Sequence, residues 1–305
     1  MTNWLVDSAK ERFGRLRIGR ALYWWYRLGF GPTLSRLIRQ SGKVQLGLHI
    51  CGHVVRLEFD FADAWSSAMF RQIKRTGMYE SATTLLVLTL LNRGGVFVDV
   101  GANVGYFTAI AGKIVGETGH VYAIEPLPSA CSLMMRNVQL NGLANVTLIP
   151  ELASDTHGWA ALFTHPNDIS LSNIFGPFLP GTQTLTVRKT RIEDELPSDV
   201  HPTLVKIDVE GSEAEVIRGM SRLISKSDNV TLLVEHNESI RERSSDKGSL
   251  FSSLSGFHIF ETSSVGEGYV VLRGPLPLPQ FVEQRTCMLL CIPKRHSNRA
   301  LDSRN

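Results

Sequence analysis

Cysteine is scarce: Cys51, Cys131, Cys287 and Cys291 are the four in a chain of 305 residues. They form no CxxC pair, so neither a disulfide framework nor a zinc knuckle is indicated, and a reducing compartment such as the cytoplasm fits. Long apolar runs are missing too; none approaches the roughly 18 to 20 residues a membrane-spanning helix needs. Charge is nearly balanced at a formal +3, which by itself argues for neither a nucleic-acid binder nor a membrane protein. No internal repeat is visible. What remains is the composition of an ordinary globular protein, 43% hydrophobic and 20% charged, long enough for one large α/β domain with an appendage.

Positive charge gathers at the start. Within Met1–Gln40, Arg12, Arg15, Arg17, Arg20, Arg27, Arg36 and Arg39 intersperse Trp4, Trp24, Trp25 and Tyr26. Apolar residues there recur at roughly helical spacing, predicting one helix broken near Gly14 or Gly19. The arginines interrupt any signal-peptide core, so secretion is not expected. A basic amphipathic helix edged with Trp suits either packing on the main domain or peripheral contact with an anionic membrane surface. Val44–Phe61 alternates as a pair of strands. His49, Cys51 and His53 would share one face of such a strand, but no further ligand stands near to complete a tetrahedral site. Residues 1–62 are therefore read as a basic N-terminal extension, 63–294 as the main domain and 295–305 as a polar, disordered tail.

The main domain opens with a helical stretch over Ala64–Leu91 and a glycine stop at Gly94-Gly95. Val96–Val100 then reads as a buried strand, followed by a glycine turn and a helix over Tyr106–Val115. Further strands are expected at His120–Glu125, Val146–Ile149, Trp159–Thr164, Thr184–Lys189, Leu204–Asp208, Val230–Glu235, Phe257–Glu261 and Cys287–Ile292. Helices are expected over Ser129–Leu140 and Ser212–Ile224. Pro166–Gly181 and Gly266–Gln280 read as irregular loops. Strands alternating with helices predict an α/β fold with a mostly parallel sheet covered on both faces. The last two strands lack an intervening helix, which favours an antiparallel strand at one end.

Three acids end three core strands: Asp99, Glu125 and Asp208. In a parallel sheet these ends share one edge, which the N-terminus of the helix after Asp99 also faces. Gly101 and Gly105, lacking Cβ atoms, are expected to let a ligand approach the backbone. A carboxylate roughly 20 to 30 residues beyond such a turn is placed to accept from both ribose hydroxyls of a nucleoside, and Glu125 falls in that window. A dinucleotide turn reads GxGxxG, its central glycine making room for a pyrophosphate. Here that position is Asn103, and Asp99 would repel a diphosphate but could hold an ammonium group. The pattern D-x-G-x-x-x-G therefore favours S-adenosylmethionine, which has an α-ammonium and no phosphate, over a nicotinamide cofactor.

These residues carry a resemblance. VDVGANVGYFT, YAIEP, RNVQLNGLANVTLIPELASD, LVKIDVEGSEAEVIRGM and LLVEHN resemble, in order and spacing, the FkbM-type S-adenosylmethionine-dependent methyltransferases; GMYES and CMLLCIP are similar too. The likeness covers about residues 70–293, leaving the first 60 uncovered. It implies a class I methyltransferase fold, Rossmann-like, with a seven-stranded sheet whose final strand is antiparallel. It implies O-methylation of a hydroxyl on a sugar, polyketide or other small metabolite. Carried over, Asp99, Gly101, Asn103, Gly105 and Tyr106 would surround the methionine part and Glu125 would hold the ribose. Ser154 and Asp155 would meet the adenine edge, and Asp208 and Glu210 would stand opposite the sulfonium. Tyr79 and Glu80 would cover the cofactor. The segment Asn167–Gly181 matches only loosely, through Ser170-Leu171-Ser172-Asn173.

Methyl transfer to a hydroxyl benefits from a base, and Asp208, Glu210 and His236 all follow strands at the ligand edge. Paired carboxylates at Asp208 and Glu210 equally suit Mg²⁺, and the sequence leaves base and metal open. Glu213 and Glu215 read as a solvated helix face. The alternatives are a nicotinamide-dependent oxidoreductase, which the missing central glycine disfavours, and a methyltransferase fold serving only to bind. Nucleic-acid methylation is disfavoured because IDVEG stands where an NPPY- or DPPY-like base-flipping motif would. Neither the acceptor nor the oligomeric state is written in any patterned residue.

Overall fold

The buried runs VFVDV, HVYAI, LVKI and TLLVEHN become adjacent parallel strands. The computed structural model describes residues 16–18, 34–40, 43–50, 52–177, 179–227, 229–238, 249–264, 270–276 and 286–294. Its first strands are β1 (Leu16–Ile18), β2 (Leu34–Gln40), β3 (Lys43–Ile50), β4 (His53–Asp60), β5 (Val96–Val100), β6 (His120–Ile124), β7 (Val146–Ile149) and β8 (Leu152–Ala153). There follow β9 (Gly158–His165), β10 (Asp168–Asn173), β11 (Gln183–Thr190), β12 (Leu204–Ile207), β13 (Thr231–Asn237), β14 (Phe257–Ser264), β15 (Val270–Arg273) and β16 (Thr286–Pro293). The helices are α1 (Ala64–Thr76), α2 (Ser81–Leu90), α3 (Tyr106–Val115), α4 (Pro128–Leu140), α5 (Ile192–Glu195), α6 (Glu213–Arg218), α7 (Ser221–Lys226) and α8 (Ser249–Ser253).

The main sheet runs β1-β15-β14-β16-β13-β12-β5-β6-β7. β16 lies antiparallel between β13 and β14, so the expected reversed final strand is present. Nine strands, not seven, make up this sheet among the described residues. Val270, Val271 and Leu272, inside the expected Gly266–Gln280 loop, are buried and pair with β14, and β1 then adds to β15.

Alternation along the strands divides the core. Phe97, Leu204 and Leu233 pack on one face with residues of α2, α3, β3 and β4. Val98, Val100, Val205, Ile207, Leu232 and Val234 pack on the other with residues of α6 and α8. Asp99, Lys206 and Glu235 fall, by the same alternation, on the face of Phe97, Leu204 and Leu233. That parity positions the site.

The small sheet β2-β3-β4 sends Leu46, Leu48, Val55, Leu57 and Phe59 into the first core. Its β4 edge does not end in water. Asn141 of the helix terminus after α4 accepts the Arg56 N–H (2.8 Å) and donates to the Arg56 carbonyl (2.7 Å). Asn137 accepts the Glu58 N–H (2.7 Å) and donates to the Val104 carbonyl (2.8 Å) in the glycine turn. Two asparagines one helical turn apart thus imitate a neighbouring strand and satisfy an edge that would otherwise be open.

Several expectations change. Where one helix was read over Met1–Gln40, Leu16–Ile18 and Leu34–Gln40 are strands; the remaining residues of that stretch, with their aromatic edge, lie outside the described residues, as does the 295–305 tail. No helix among the described residues is long and apolar enough to cross a membrane. His49 and His53 sit on opposite strands of a hairpin, paired with Val54 and Ile50 respectively, so they do not share a strand face; Cys51 lies outside the described residues. The helical stretch 64–91 divides at Gly77, whose left-handed φ of 81° caps α1. Asp168–Asn173, read as a loop, is a strand against β9. Ser212–Ile224 is two short helices, α6 and α7, and between them Gly219 presses against the Ser154 carbonyl so closely that any Cβ would collide with it.

Candidate functional site: a carboxylate-lined cleft at the strand ends

At the carboxyl ends of β5, β6 and β12 the chain turns away and leaves a cleft of about 1080 Å³, its open mouth included. The turn Gly101–Gly105 forms one wall. Its glycines are also required by packing. A Cβ at Gly101 (φ 75°) would collide with the Asp208 carbonyl oxygen, and one at Gly105 (φ 80°) would lie 2.6 Å from Met134 Cγ. Close approach of β12 and α4, together with left-handed backbone, demands glycine at both positions. Gly101 lines the cleft and Gly105 does not.

Glu125, at the end of β6, lies across from this turn. Its Oε2 accepts the Asn103 N–H and its Oε1 the Leu127 N–H, each at 2.9 Å. Each oxygen keeps a lone pair for a further donor. Burial pushes its carboxyl up to about 7. Asn103 itself holds a positive φ of 51°. The three non-glycine residues with positive φ among those described are Glu80, Asn103 and Glu210, and all three line this cleft. Strained backbone concentrated at one place is the usual companion of a binding site.

The opposite wall is acidic. Asp208, Glu210 and Glu235 bring ligand oxygens within 4.8 Å of one another. Burial, then the neighbouring Asp208 charge, pushes Glu210 up to about 8 and Glu235 up to about 11. One Glu235 oxygen is buried without a hydrogen-bond partner. Glu80 is raised as well, by burial first and Asp208 second. Lys206, 2% exposed, sits among them with its Nζ 2.8 Å from Asp208 Oδ2 and 5.0 Å from the centre of the Phe107 ring. Burial pulls its pKa down, but the Asp208, Asp99 and Glu80 carboxylates together outweigh burial and push it above the ordinary lysine range.

A roof completes the cleft. Trp65 of α1 meets the Tyr79 ring edge-on at 5.7 Å, and Tyr79 meets Tyr106 at 5.6 Å. The Tyr106 hydroxyl accepts the Tyr79 N–H (3.1 Å) and contacts the Thr84 hydroxyl (3.2 Å), fixing the 77–80 turn. β10 is tied to the start of α1 by Asp63, which caps α1 through Ser66 N–H (2.6 Å) and accepts the Ile169 N–H (2.9 Å).

Tyr79, Glu80, Gly101, Asn103, Tyr106, Glu125, Asp208 and Glu210 are thus brought together. Others expected there are not. Asp99 is fully buried beneath the turn: Thr108 donates to its Oδ2 (2.6 Å), and it pairs across strands with Lys206. Its side chain faces the α3 side of the sheet, so it balances Lys206 and does not reach the cleft. Ser154 is buried, its hydroxyl 3.5 Å from Glu215, and Asp155 is ion-paired at the surface with Arg218; neither lines the cleft. The wall there is built from Leu127, Leu152 and Ala153 instead. His236 sits on the far face of β13 with its ring against Phe251 (5.8 Å), because strand neighbours point in opposite directions. Glu213 is not solvated: at 3% exposure it accepts from the Gly211 and Val209 N–H groups.

Sequence reasoning missed Lys206 and Glu235. A lysine inside the apolar run LVKI, and the residue one before His236 on the strand, were the signals.

The cleft fits S-adenosylmethionine. Glu125 has acceptor capacity left for a ribose diol, Leu127, Leu152 and Ala153 give a flat apolar wall, and the surplus of carboxylates suits a sulfonium and an ammonium. Sheet order and site together define a nucleoside-binding α/β protein of the class I type. The methyltransferase FkbM domain matches residues 99–262, and the chain belongs to that family. A protein of Sulfolobus acidocaldarius described as "Probable cobalt-precorrin-6B C(15)-methyltransferase (decarboxylating)" is 46% identical over 56 residues, 18% of this chain and 29% of the relative. A protein-L-isoaspartate O-methyltransferase of Methanothrix thermoacetophila is 33% identical over 70 residues, 23% of this chain and 32% of the relative. The chain thus spans about a third of the length of these curated relatives. Among solved structures, an S-adenosylmethionine-dependent O-methyltransferase of Thermotoga maritima aligns over 85% of both chains at 12% identity and a TM-score of 0.43.

Proposed function

We propose that this chain is an S-adenosylmethionine-dependent O-methyltransferase acting on a hydroxyl of a small molecule or glycan. The observation that carries the proposal is the pairing, in one cleft, of Glu125 beside the glycine turn with the carboxylates Asp208, Glu210 and Glu235. When bound, S-adenosylmethionine supplies a methyl group activated by the adjoining sulfonium. Glu125 would hold the ribose, and the turn from Gly101 to Asn103 the methionine part. Tyr79 and Glu80 would close over it from the roof.

Asp208 is positioned to take the proton of the acceptor hydroxyl as its oxygen becomes nucleophilic, while Glu210 and Glu235, which burial pushes toward the protonated form, stand beside it to orient that hydroxyl. The same three oxygens meet the donor requirement of Mg²⁺. The Lys206 ammonium already supplies Asp208 with a fixed positive charge, which disfavours a divalent cation at the same oxygens. Among the described lining residues no arginine or histidine stands ready for an isoaspartate or a pyrophosphate, and the one lysine is already paired with Asp208, which disfavours both that acceptor and a nicotinamide cofactor. Asp208→Asn tests the assignment: turnover should fall far more than S-adenosylmethionine affinity, and an equal loss of both would make Asp208 a binding residue only.

A further inference from the structure

Asn137 of α4 is fully buried, and both ends of its amide are used. Its Oδ1 accepts the Glu58 N–H of β4 at 2.7 Å, and its Nδ2 donates to the Val104 carbonyl at 2.8 Å. A donor on one side and an acceptor on the other allow a single orientation of the amide. Val104 follows Asn103, whose backbone holds a positive φ of 51° and whose N–H donates to Glu125 Oε2 at 2.9 Å. Backbone in that region persists where its neighbours over-determine it. α4 supplies such constraint twice: through Asn137, and through Met134, which packs against Gly105 too closely to admit a Cβ. Asn141, one helical turn on, ties α4 to β4 in the same way. Its side chain bonds to Arg56 and to the Asn137 carbonyl and, among the described residues, to nothing in the glycine turn.

We propose that Asn137 is a positioning residue for S-adenosylmethionine, holding the 101–105 turn in its binding conformation by anchoring it to the β2-β3-β4 sheet. This rests on the cofactor reading above and adds the small sheet to it. No residue of β2, β3 or β4 lines the cleft, so the N-terminal extension acts on the site through this one amide. Asn137 keeps the Asn103 N–H on Glu125, and Glu125 in turn faces the ribose. Coupling of this kind is reciprocal: what the sheet does for cofactor binding, bound cofactor must do for the sheet.

Amide hydrogen exchange of the natural full chain, free and saturated with S-adenosylmethionine, reads the link without any substitution. The Glu58 and Arg56 amides both lie on β4 and both donate to an asparagine of α4. The cofactor should slow exchange at Glu58 at least about tenfold more than at Arg56. Equal slowing at the two, or none at either, overturns the proposal while leaving the cofactor reading intact. Failure of S-adenosylmethionine to bind in calorimetry overturns the cofactor reading and the proposal together. Substitution gives a second measurement. Asn137→Ala should weaken S-adenosylmethionine binding at least about tenfold, and Asn141→Ala less than about twofold, although each leaves buried backbone groups of β4 unpaired. Equal losses of affinity would make Asn137 a structural residue alone. If Asn137→Ala does not fold, the exchange measurement on the natural protein decides.

Discussion

Lys206 Nζ lies 2.8 Å from Asp208 Oδ2 while Lys206 itself stands beside Asp99 on the neighbouring strand. One buried ammonium therefore joins a carboxylate sealed under the glycine turn to one that lines the cleft. Lys206→Met should destabilise the fold by about 3–5 kcal/mol, because it leaves buried carboxylates without their cation. Denaturant unfolding at neutral pH measures this. A loss below about 1 kcal/mol would show that the ion pair is not structural.

The acids of β12 and β13 should separate from their neighbour. Asp208→Asn is expected to lower turnover by about 10²–10⁴ with cofactor affinity nearly intact, the range associated with loss of a proton acceptor, whereas Glu235→Gln, which resembles the protonated group, should lower it far less. His236→Ala should leave turnover within a few fold, since His236 packs on Phe251 away from the cleft. The reverse ranking in steady-state kinetics would return the role to the histidine.

Glu235 also makes stability depend on pH. Its carboxyl is pushed from an ordinary value near 4.5 up to about 11 by burial and the nearby Asp208 charge. A group whose folded pKa is raised contributes stability below its unfolded pKa and loses it as pH rises toward the folded value. From about pH 5 to 9 the folded chain must therefore hold a proton that the unfolded chain releases. Glu235→Gln, which mimics the protonated form, should match the natural protein near pH 4.5 and exceed it in Tm increasingly toward pH 9. A constant difference across that range would contradict the assignment.

Two glycines with left-handed backbone should respond differently to alanine. At Gly101 a Cβ meets the Asp208 carbonyl, whereas at Gly142 (φ 61°) nothing stands within 4 Å. Gly142→Ala should cost about 1 kcal/mol from backbone conformation alone. Gly101→Ala should cost more than about 3 kcal/mol, since backbone must move as well. Thermal unfolding distinguishes them.

Much of the frame was legible because its strands are continuous apolar runs and their turns carry glycine. The strand-end acids Glu125 and Asp208 could be placed from that pattern, and both line the cleft. The parity of a strand buried on both faces could not: in VTLLVEHN the apolar residues run on without alternation, so nothing in the run distinguishes the face of Glu235 from that of His236. Asp99 misled for the same reason, since a strand-end acid can lie under a turn as well as beside it. β10 was hidden by its polar residues, which pair with β9 and close the cleft instead of filling a core. Leu34–Gln40 looked helical because its apolar spacing is compatible with either period, and pairing with β3 decides it.

Calorimetry with S-adenosylmethionine and with NAD tests the account most directly. The full chain should bind S-adenosylmethionine and not NAD, and Glu125→Ala should weaken that binding at least about tenfold, consistent with loss of charge-assisted hydrogen bonds to a ribose diol. Binding of NAD without S-adenosylmethionine, or S-adenosylmethionine binding indifferent to Glu125, would contradict it.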